Sequence, residues 1–235
     1  MDNDLRSRSS SGKLLRRAVK RSWGNLFAVP RLTVLWSAFV RRVSVVGNSG
    51  SGKSTVAREL AASLGVPHLE LDSAFHQPGW EPLPREEFRR LVTTRTSQDG
   101  WVIDGNYSAV QPIVWARADT VVWLDLPRRT VMRQVTWRTV RRAVTRQELW
   151  NGNREPLVNF LSWAPEKSII SWAWHNHARY RTRYGTAAAD PANAHLTFIR
   201  LTSRQEVTRF LADPGGYPAA TISAGFPLPP RSAPR

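Results

Sequence analysis

The sequence predicts an α/β domain in which helices wrap a parallel sheet. Two observations carry this. Segments of strand character alternate with helical ones between about residues 42 and 212, as they do in chained βα units. A glycine-rich run, Gly47-Asn48-Ser49-Gly50-Ser51-Gly52-Lys53-Ser54, separates the first strand from the first helix, which is where a phosphate-binding loop belongs.

The elements follow in order. Val43 to Val46 is a short apolar strand ending at Gly47. Ser54 to Leu64 has helical spacing through Val56, Leu60, Ala61 and Leu64, and Gly65 stops it. Pro67 to Asp72 reads as a second strand, Pro84 to Arg95 as an amphipathic helix through Phe88, Leu91 and Val92, and Trp101 to Asp104 as a third strand. Thr120 to Leu126 is nearly all apolar, as a strand buried on both faces requires. Two long helices follow, an arginine-rich one over Thr130 to about Arg146 and another over Pro165 to Tyr184. His195 to Leu201 is the fifth strand. Ser203 and Glu206 have capping-box spacing for a last helix ending near Leu211.

Residues 1–41 form a basic, serine-containing extension with Arg16, Arg17, Lys20 and Arg21 at its middle. Residues 213–235 turn to Pro, Gly and Ala, a composition that cannot bury a core and is expected to be disordered. The chain carries 34 Lys and Arg against 18 Asp and Glu, a formal charge of +16. That favours anionic partners, whether nucleotides, nucleic acid or an acidic membrane surface, without choosing among them. It has no cysteine, which excludes disulfides, a thiolate nucleophile and cysteine metal sites and fits the expected cytoplasmic location. Leu32 to Val40 falls well short of the roughly 20 apolar residues a membrane span needs. Basic residues precede it as in a secretory signal, but no small-residue cleavage site follows.

The glycine-rich run matches the Walker A pattern in full. Glycines let the backbone curl so that successive N–H groups face the β-phosphate. The helix that follows adds its positive N-terminal end. Lys53 reaches the β- and γ-phosphates as a cation, and the Ser54 hydroxyl ligates Mg²⁺. Gly47 to Ser54, with Thr55 after them, are therefore candidate nucleotide-binding residues, and ATP with Mg²⁺ is the expected ligand.

In open α/β sheets ligands sit beyond the carboxyl ends of the strands. Asp72, Asp104 and Asp125 fall at such ends. Each could orient metal waters or an acceptor hydroxyl, or simply be a solvated terminus. Asp104 has the strongest positional case, and Gly105 after it allows close backbone approach. Asp72 is the better candidate for a base acting on a hydroxyl acceptor. Asp125 reads equally as a cap that starts the arginine helix.

From about Arg42 to Leu211 the chain resembles the adenylate kinase-like branch of P-loop kinases, and within it the small proteins called topology modulation proteins. Four passages carry the resemblance. They are Gly47 to Thr55, Leu69-Glu70-Leu71-Asp72 with Pro78-Gly79-Trp80 after it, Trp101 to Tyr107, and Trp123 to Pro127 followed by arginines. The resemblance implies a three-layer P-loop NTPase fold, with five parallel strands in the order 2-3-1-4-5 and a mobile helical lid at about 130–184. It implies that Asp104 holds Mg²⁺ through water, and that Arg138 is a lid-hinge arginine on the ATP phosphates. Ser108 stands where adenylate kinases place the arginine that grips a nucleoside monophosphate, and Gln134 replaces an earlier hinge arginine.

Arg133, Arg138, Arg141, Arg142 and Arg146 share one helix, and Arg154, Arg179, Arg181 and Arg183 follow. Closing arginines stabilise the charge that spreads over a migrating phosphoryl group. One to three of these are expected at phosphate, Arg138 first and Arg142 next, with the rest a solvated face. Trp172 and Trp174, among 11 tryptophans, read as core or helix-packing aromatics before base-stacking ones. His175 and His177 lie two apart and should face different ways. His76 is a candidate for touching the acceptor.

Three functions compete on these residues. One is a kinase transferring the γ-phosphoryl group of ATP to an unidentified small molecule or nucleotide. The second is a nucleic-acid-associated ATPase, favoured by charge and interleaved Trp and Arg. The third is a nucleotide-binding regulator with little turnover. The long arginine-bearing segment favours the first, because a lid that excludes water protects transfer from hydrolysis.

Overall fold

The computed structural model describes residues 40–154, 168–214 and Tyr217. The basic extension up to residue 39, residues 155–167 and most of the Pro/Gly-rich tail lie outside the described residues. Strands β1 (Arg42–Gly47), β2 (His68–Glu70), β3 (Trp101–Asp104), β4 (Thr120–Leu124) and β5 (Thr197–Leu201) form one sheet in the order β2-β3-β1-β4-β5. All four pairings are parallel. This is the expected order.

Side chains alternate across the strands, and each face of the sheet builds its own core. Val43 and Val45 of β1, Val102 of β3, Val122 and Leu124 of β4 and Leu201 of β5 point to one side. There they meet Val56, Ala57 and Leu60 of α1 (Lys53–Leu64) and Phe210 of α7 (Arg204–Ala212). Val46, Trp101, Ile103, Val121, Trp123 and Phe198 point the other way. They meet α3 (Arg85–Thr96), α4 (Gln111–Trp115) and α6 (Ile169–Ala189) through Phe88, Val92, Val114, Trp115 and Tyr184. α5 (Arg128–Thr145) packs on α6, with Val131 and Val135 buried.

Several local expectations shift. The second strand is only three residues long, because Leu71–Phe75 coils into a short helix, α2. The Ser73 hydroxyl donates to the Glu70 carbonyl at 2.7 Å and His76 N–H to the Asp72 carbonyl at 3.0 Å, which closes that turn. Asp72 therefore lies in a helical first turn, not at a strand end. β5 begins at Thr197, because a turn at Pro191–Asn193 takes Leu196 N–H to the Asn193 carbonyl. α6 continues to Ala189, past the expected end at Tyr184, and the expected start at Pro165 lies outside the described residues. Ser203 Oγ does cap α7, accepting from Glu206 N–H at 3.1 Å. The returning Glu206 carboxylate takes Thr202 N–H at 2.6 Å, one residue ahead of the capping-box pattern.

Trp172 and Trp174 are not core residues: they are 39% and 50% exposed. Trp174 lies under the Arg128 guanidinium, 4.8 Å from its ring centre. Among the described residues the buried tryptophans are Trp101, Trp115 and Trp123. Among the described residues no helix is long and apolar enough to cross a membrane.

Candidate active site

The carboxyl ends of β1, β2 and β3 lie side by side, since Asp104 registers with Glu70 on one flank and Val45 on the other. From β1 the loop turns through Gly50 and Gly52, at φ +81° and +94°, into α1. Those angles strain any residue with a Cβ. A Cβ on Gly50 would also come within 2.7 Å of the Val135 Cβ, so α5 rests directly on the loop. Lys53 Nζ donates to the Asn48 carbonyl at 3.1 Å.

Two side-chain amides hold the loop from outside. Asn48 Nδ2 donates to the Ala173 carbonyl of α6 at 2.7 Å, and its Oδ1 accepts from Ser49 N–H at 2.8 Å. The side chain of Asn48 is thus occupied by the fold. Asn106 Nδ2 donates to the Gly47 carbonyl at 2.6 Å. Its Oδ1 accepts from Gly47 N–H at 3.3 Å and from the Tyr184 hydroxyl at 2.9 Å. Ser49 is half-buried, Ser51 buried and Thr55 exposed.

Beside Lys53, Ser54 Oγ lies 2.7 Å from Glu70 Oε1 and 2.8 Å from Asp104 Oδ2. A hydroxyl has one hydrogen, so it can donate to only one of them. Two carboxylates drawn to one oxygen repel each other unless a proton or cation joins them. Asp104 is only 2% exposed, and its Oδ1 takes a hydrogen bond from His68 Nε2 at 2.7 Å.

Asp72 Oδ1 accepts from the Tyr107 hydroxyl at 2.7 Å. Burial, and then the negative charge of Asp72, push the Tyr107 phenol far above its ordinary value, so it remains a neutral donor. Burial pushes the Lys53 ammonium below its ordinary value, Asp72 and Asp104 oppose this, and the charge of Arg138 adds to it. The Arg138 guanidinium therefore lies near Lys53. Along α5, Arg138 and Arg142 are half-buried, one helical turn apart, while Arg133, Arg141 and Arg146 are exposed.

Other sequence candidates go elsewhere. Asp125 is no helix cap: its buried Oδ2 pairs with Arg200 and, at 3.2 Å, with Arg181. Arg183 bonds Gln111. His177 Nε2 donates to the Leu126 carbonyl at 2.9 Å, while His175 turns back to its own helix at the Ser171 carbonyl. Gly105, at φ +142°, is needed for packing, because a Cβ there would lie 2.8 Å from the Leu71 Cβ. Four contributors were not singled out from sequence: His68, Glu70, Asn106 and Tyr107. Glu70 had a signal, an acidic residue at a strand end two before Asp72.

Sheet order, phosphate loop and acidic strand ends define a P-loop NTPase fold. No protein-family model matches the chain. It is 32% identical over 111 residues to the shikimate kinase of Mycobacterium avium (strain 104), covering 41% of this chain and 63% of that one. It is 34% identical over 96 residues to the shikimate kinase of Mycobacterium ulcerans (strain Agy99), covering 35% and 52%. The chain thus spans about three fifths or less of the length of these curated relatives. Among solved structures, a shikimate kinase from Bacteroides thetaiotaomicron aligns with a TM-score of 0.45 at 13% identity, over 73% of this chain and 94% of that one. A gluconokinase from Sinorhizobium meliloti 1021 aligns with a TM-score of 0.41 at 18% identity, over 75% and 94%.

Proposed function

We propose that the chain is a Mg-ATP-dependent phosphotransferase that moves the γ-phosphoryl group of ATP to the hydroxyl of a small molecule. The observation that carries this reading is the convergence of Ser54, Glu70 and Asp104 beside Lys53. A hydroxyl and two carboxylates are the hard oxygen donors that Mg²⁺ takes, in part through water. Bound there, the ion would offset charge on the β- and γ-phosphate oxygens.

The remaining roles belong to the chain. Backbone N–H groups from Gly47 to Thr55 cradle the phosphates. Lys53, with Arg138 and Arg142 from α5, faces the charge of the migrating group. Asp72 accepts the acceptor's proton as its oxygen forms a bond to the γ-phosphorus and the bond to the β–γ bridging oxygen breaks, releasing ADP. Tyr107 orients that carboxylate. The working unit is residues 42–212 with a lid at about 130–184, of which residues 155–167 lie outside the described residues. The finer placement beside adenylate kinases and topology modulation proteins rests on the Trp101 to Tyr107 and Trp123 to Pro127 passages.

The test is transfer from labelled ATP across a panel of AMP, nucleosides, sugars, shikimate and gluconate, with hydrolysis followed alongside. The last two are included because the relatives are shikimate kinases and a neighbour in fold is a gluconokinase. A labelled product from one hydroxyl compound is expected, and hydrolysis alone across the panel would refute the proposal. Asp104→Asn should lower Mg²⁺-dependent turnover by roughly 10- to 100-fold. Metal-free nucleotide affinity should stay near that of the parent, and equal losses with and without metal would remove Asp104 from this role.

Lys53 gives a pH signature. Its proton is held weakly in the free protein and strongly against a triphosphate. Binding should therefore take up protons in a window that lies below the ordinary lysine value of 10.5. Affinity should fall as pH rises through that window. Calorimetry in buffers of different ionisation enthalpy reads the uptake, and identical heats would contradict it.

A further inference from the structure

The loop that presents Asp72 is fastened to the segment that follows α5. Asn151 Nδ2 donates to the carbonyls of Ser73 and His76, at 3.2 and 2.6 Å. Asn153 Nδ2 donates to the Gln77 carbonyl at 2.8 Å, and its Oδ1 accepts from Trp80 N–H at 2.9 Å. Trp80 Nε1 donates to the Arg154 carbonyl at 3.1 Å. The His76 ring stacks near-parallel on Trp150, with centres 6.1 Å apart, and meets Trp80 edge-on. Asn153 is only 4% exposed.

The join is also where the backbone is strained. Among the described residues three non-glycine residues have positive φ, and two of them, Trp80 at +64° and Asn151 at +56°, face each other across it. A bulky side chain in that region persists only where its surroundings enforce it, and such strain gathers at functional sites. The other end of the same segment is α5, whose Val135 sits against Gly50 of the phosphate loop. One continuous stretch of chain therefore touches the phosphate loop and grips the loop bearing Asp72.

We propose that Asn151 and Asn153 are positioning residues for the acceptor half of the site. Their amides clasp residues 73–80 to the segment behind α5, so that a triphosphate on the phosphate loop sets Asp72 and His76 in place for the acceptor. This rests on the phosphotransferase reading above.

The test is hydrogen exchange of the amides of residues 73–80, with and without Mg-AMPPNP, in the full chain and in Asn151→Ala and Asn153→Ala. In the parent, Mg-AMPPNP should slow this exchange. In each variant it should run about tenfold faster without nucleotide, as expected for lost hydrogen bonds that gate a local opening. The slowing by nucleotide should vanish, while Mg-AMPPNP affinity stays within about twofold of the parent. Asn151 is exposed whereas Asn153 is buried, so Asn151→Ala carries the test if Asn153→Ala does not fold. A merely structural staple would protect residues 73–80 equally with and without nucleotide, and that result overturns the proposal. So does a nucleotide effect that survives in the variants. Binding of Mg-AMPPNP without effect on this segment sinks the clasp alone, whereas failure of the parent to bind it sinks both readings.

Discussion

Replacing Asp72 with Asn is expected to cut phosphoryl transfer by about 10²- to 10⁴-fold, the usual contribution of a positioned base. The substitution keeps the shape of the side chain and an oxygen to accept the Tyr107 hydroxyl, which now sits 2.7 Å from Asp72 Oδ1. What it removes is the capacity to take a proton. Asp72 also raises the pKa of Lys53, so its loss further weakens the hold of Lys53 on its proton. Nucleotide affinity should therefore fall more steeply than the parent's between neutral and alkaline pH. Single-turnover transfer and equilibrium binding, measured side by side at both pH values, separate the two effects. Transfer within a few-fold of the parent would place the base elsewhere.

Arg138→Ala should slow transfer by about 10²- to 10³-fold, with a smaller loss of ground-state ATP affinity. The half-buried guanidinium lies close enough to Lys53 to shift its pKa. There it meets charge that grows as the phosphoryl group leaves. Arg141→Ala and Arg146→Ala, both at exposed positions, should change transfer little. A nucleic-acid track along α5 would give the opposite pattern. Each arginine would then contribute similarly to DNA or RNA affinity, and each removal would lower the salt dependence by about one counterion. Graded, salt-dependent losses with normal turnover in Arg138→Ala would end the phosphotransferase assignment of this helix.

Most of the frame was legible because its signals are local. The phosphate loop is a contiguous pattern, and β3 and β4 announce themselves by unbroken apolar runs. Arg138 and Arg142 stand out from Arg133 and Arg141 once one face of α5 is buried, and the 3.6-residue period puts them on that face, whereas Arg146, expected on the same helix, falls just beyond it as its left-handed cap. The sheet order came from resemblance, since strand pairing is nonlocal. That is also why Glu70 escaped notice. Its place beside Ser54 depends on β2 pairing with β3 in the register that sets Glu70 opposite Asp104. Asn106 was read within Asp-Gly-Asn-Tyr, yet nothing in the sequence says that its amide pairs with Gly47. Trp172 and Trp174 are exposed, not core, for a related reason. Composition marks them as apolar, but which helix face finds a partner is settled by how α5 and α6 meet.

The clasp carries its own chemical clock. Asn151 is followed by Gly152, and a residue without a Cβ leaves its amide nitrogen unhindered for attack on the side-chain carbonyl of the asparagine before it. That attack closes a five-membered imide and expels ammonia, and water then opens the ring to aspartate or its β-linked isomer. The left-handed backbone of Asn151 and its two hydrogen bonds restrain the ring closure while the clasp is shut. Each opening lifts the restraint. Once converted, position 151 presents a carboxylate to the carbonyls of Ser73 and His76, which it can only repel. Ageing of this protein should therefore loosen the join between the two halves of its site.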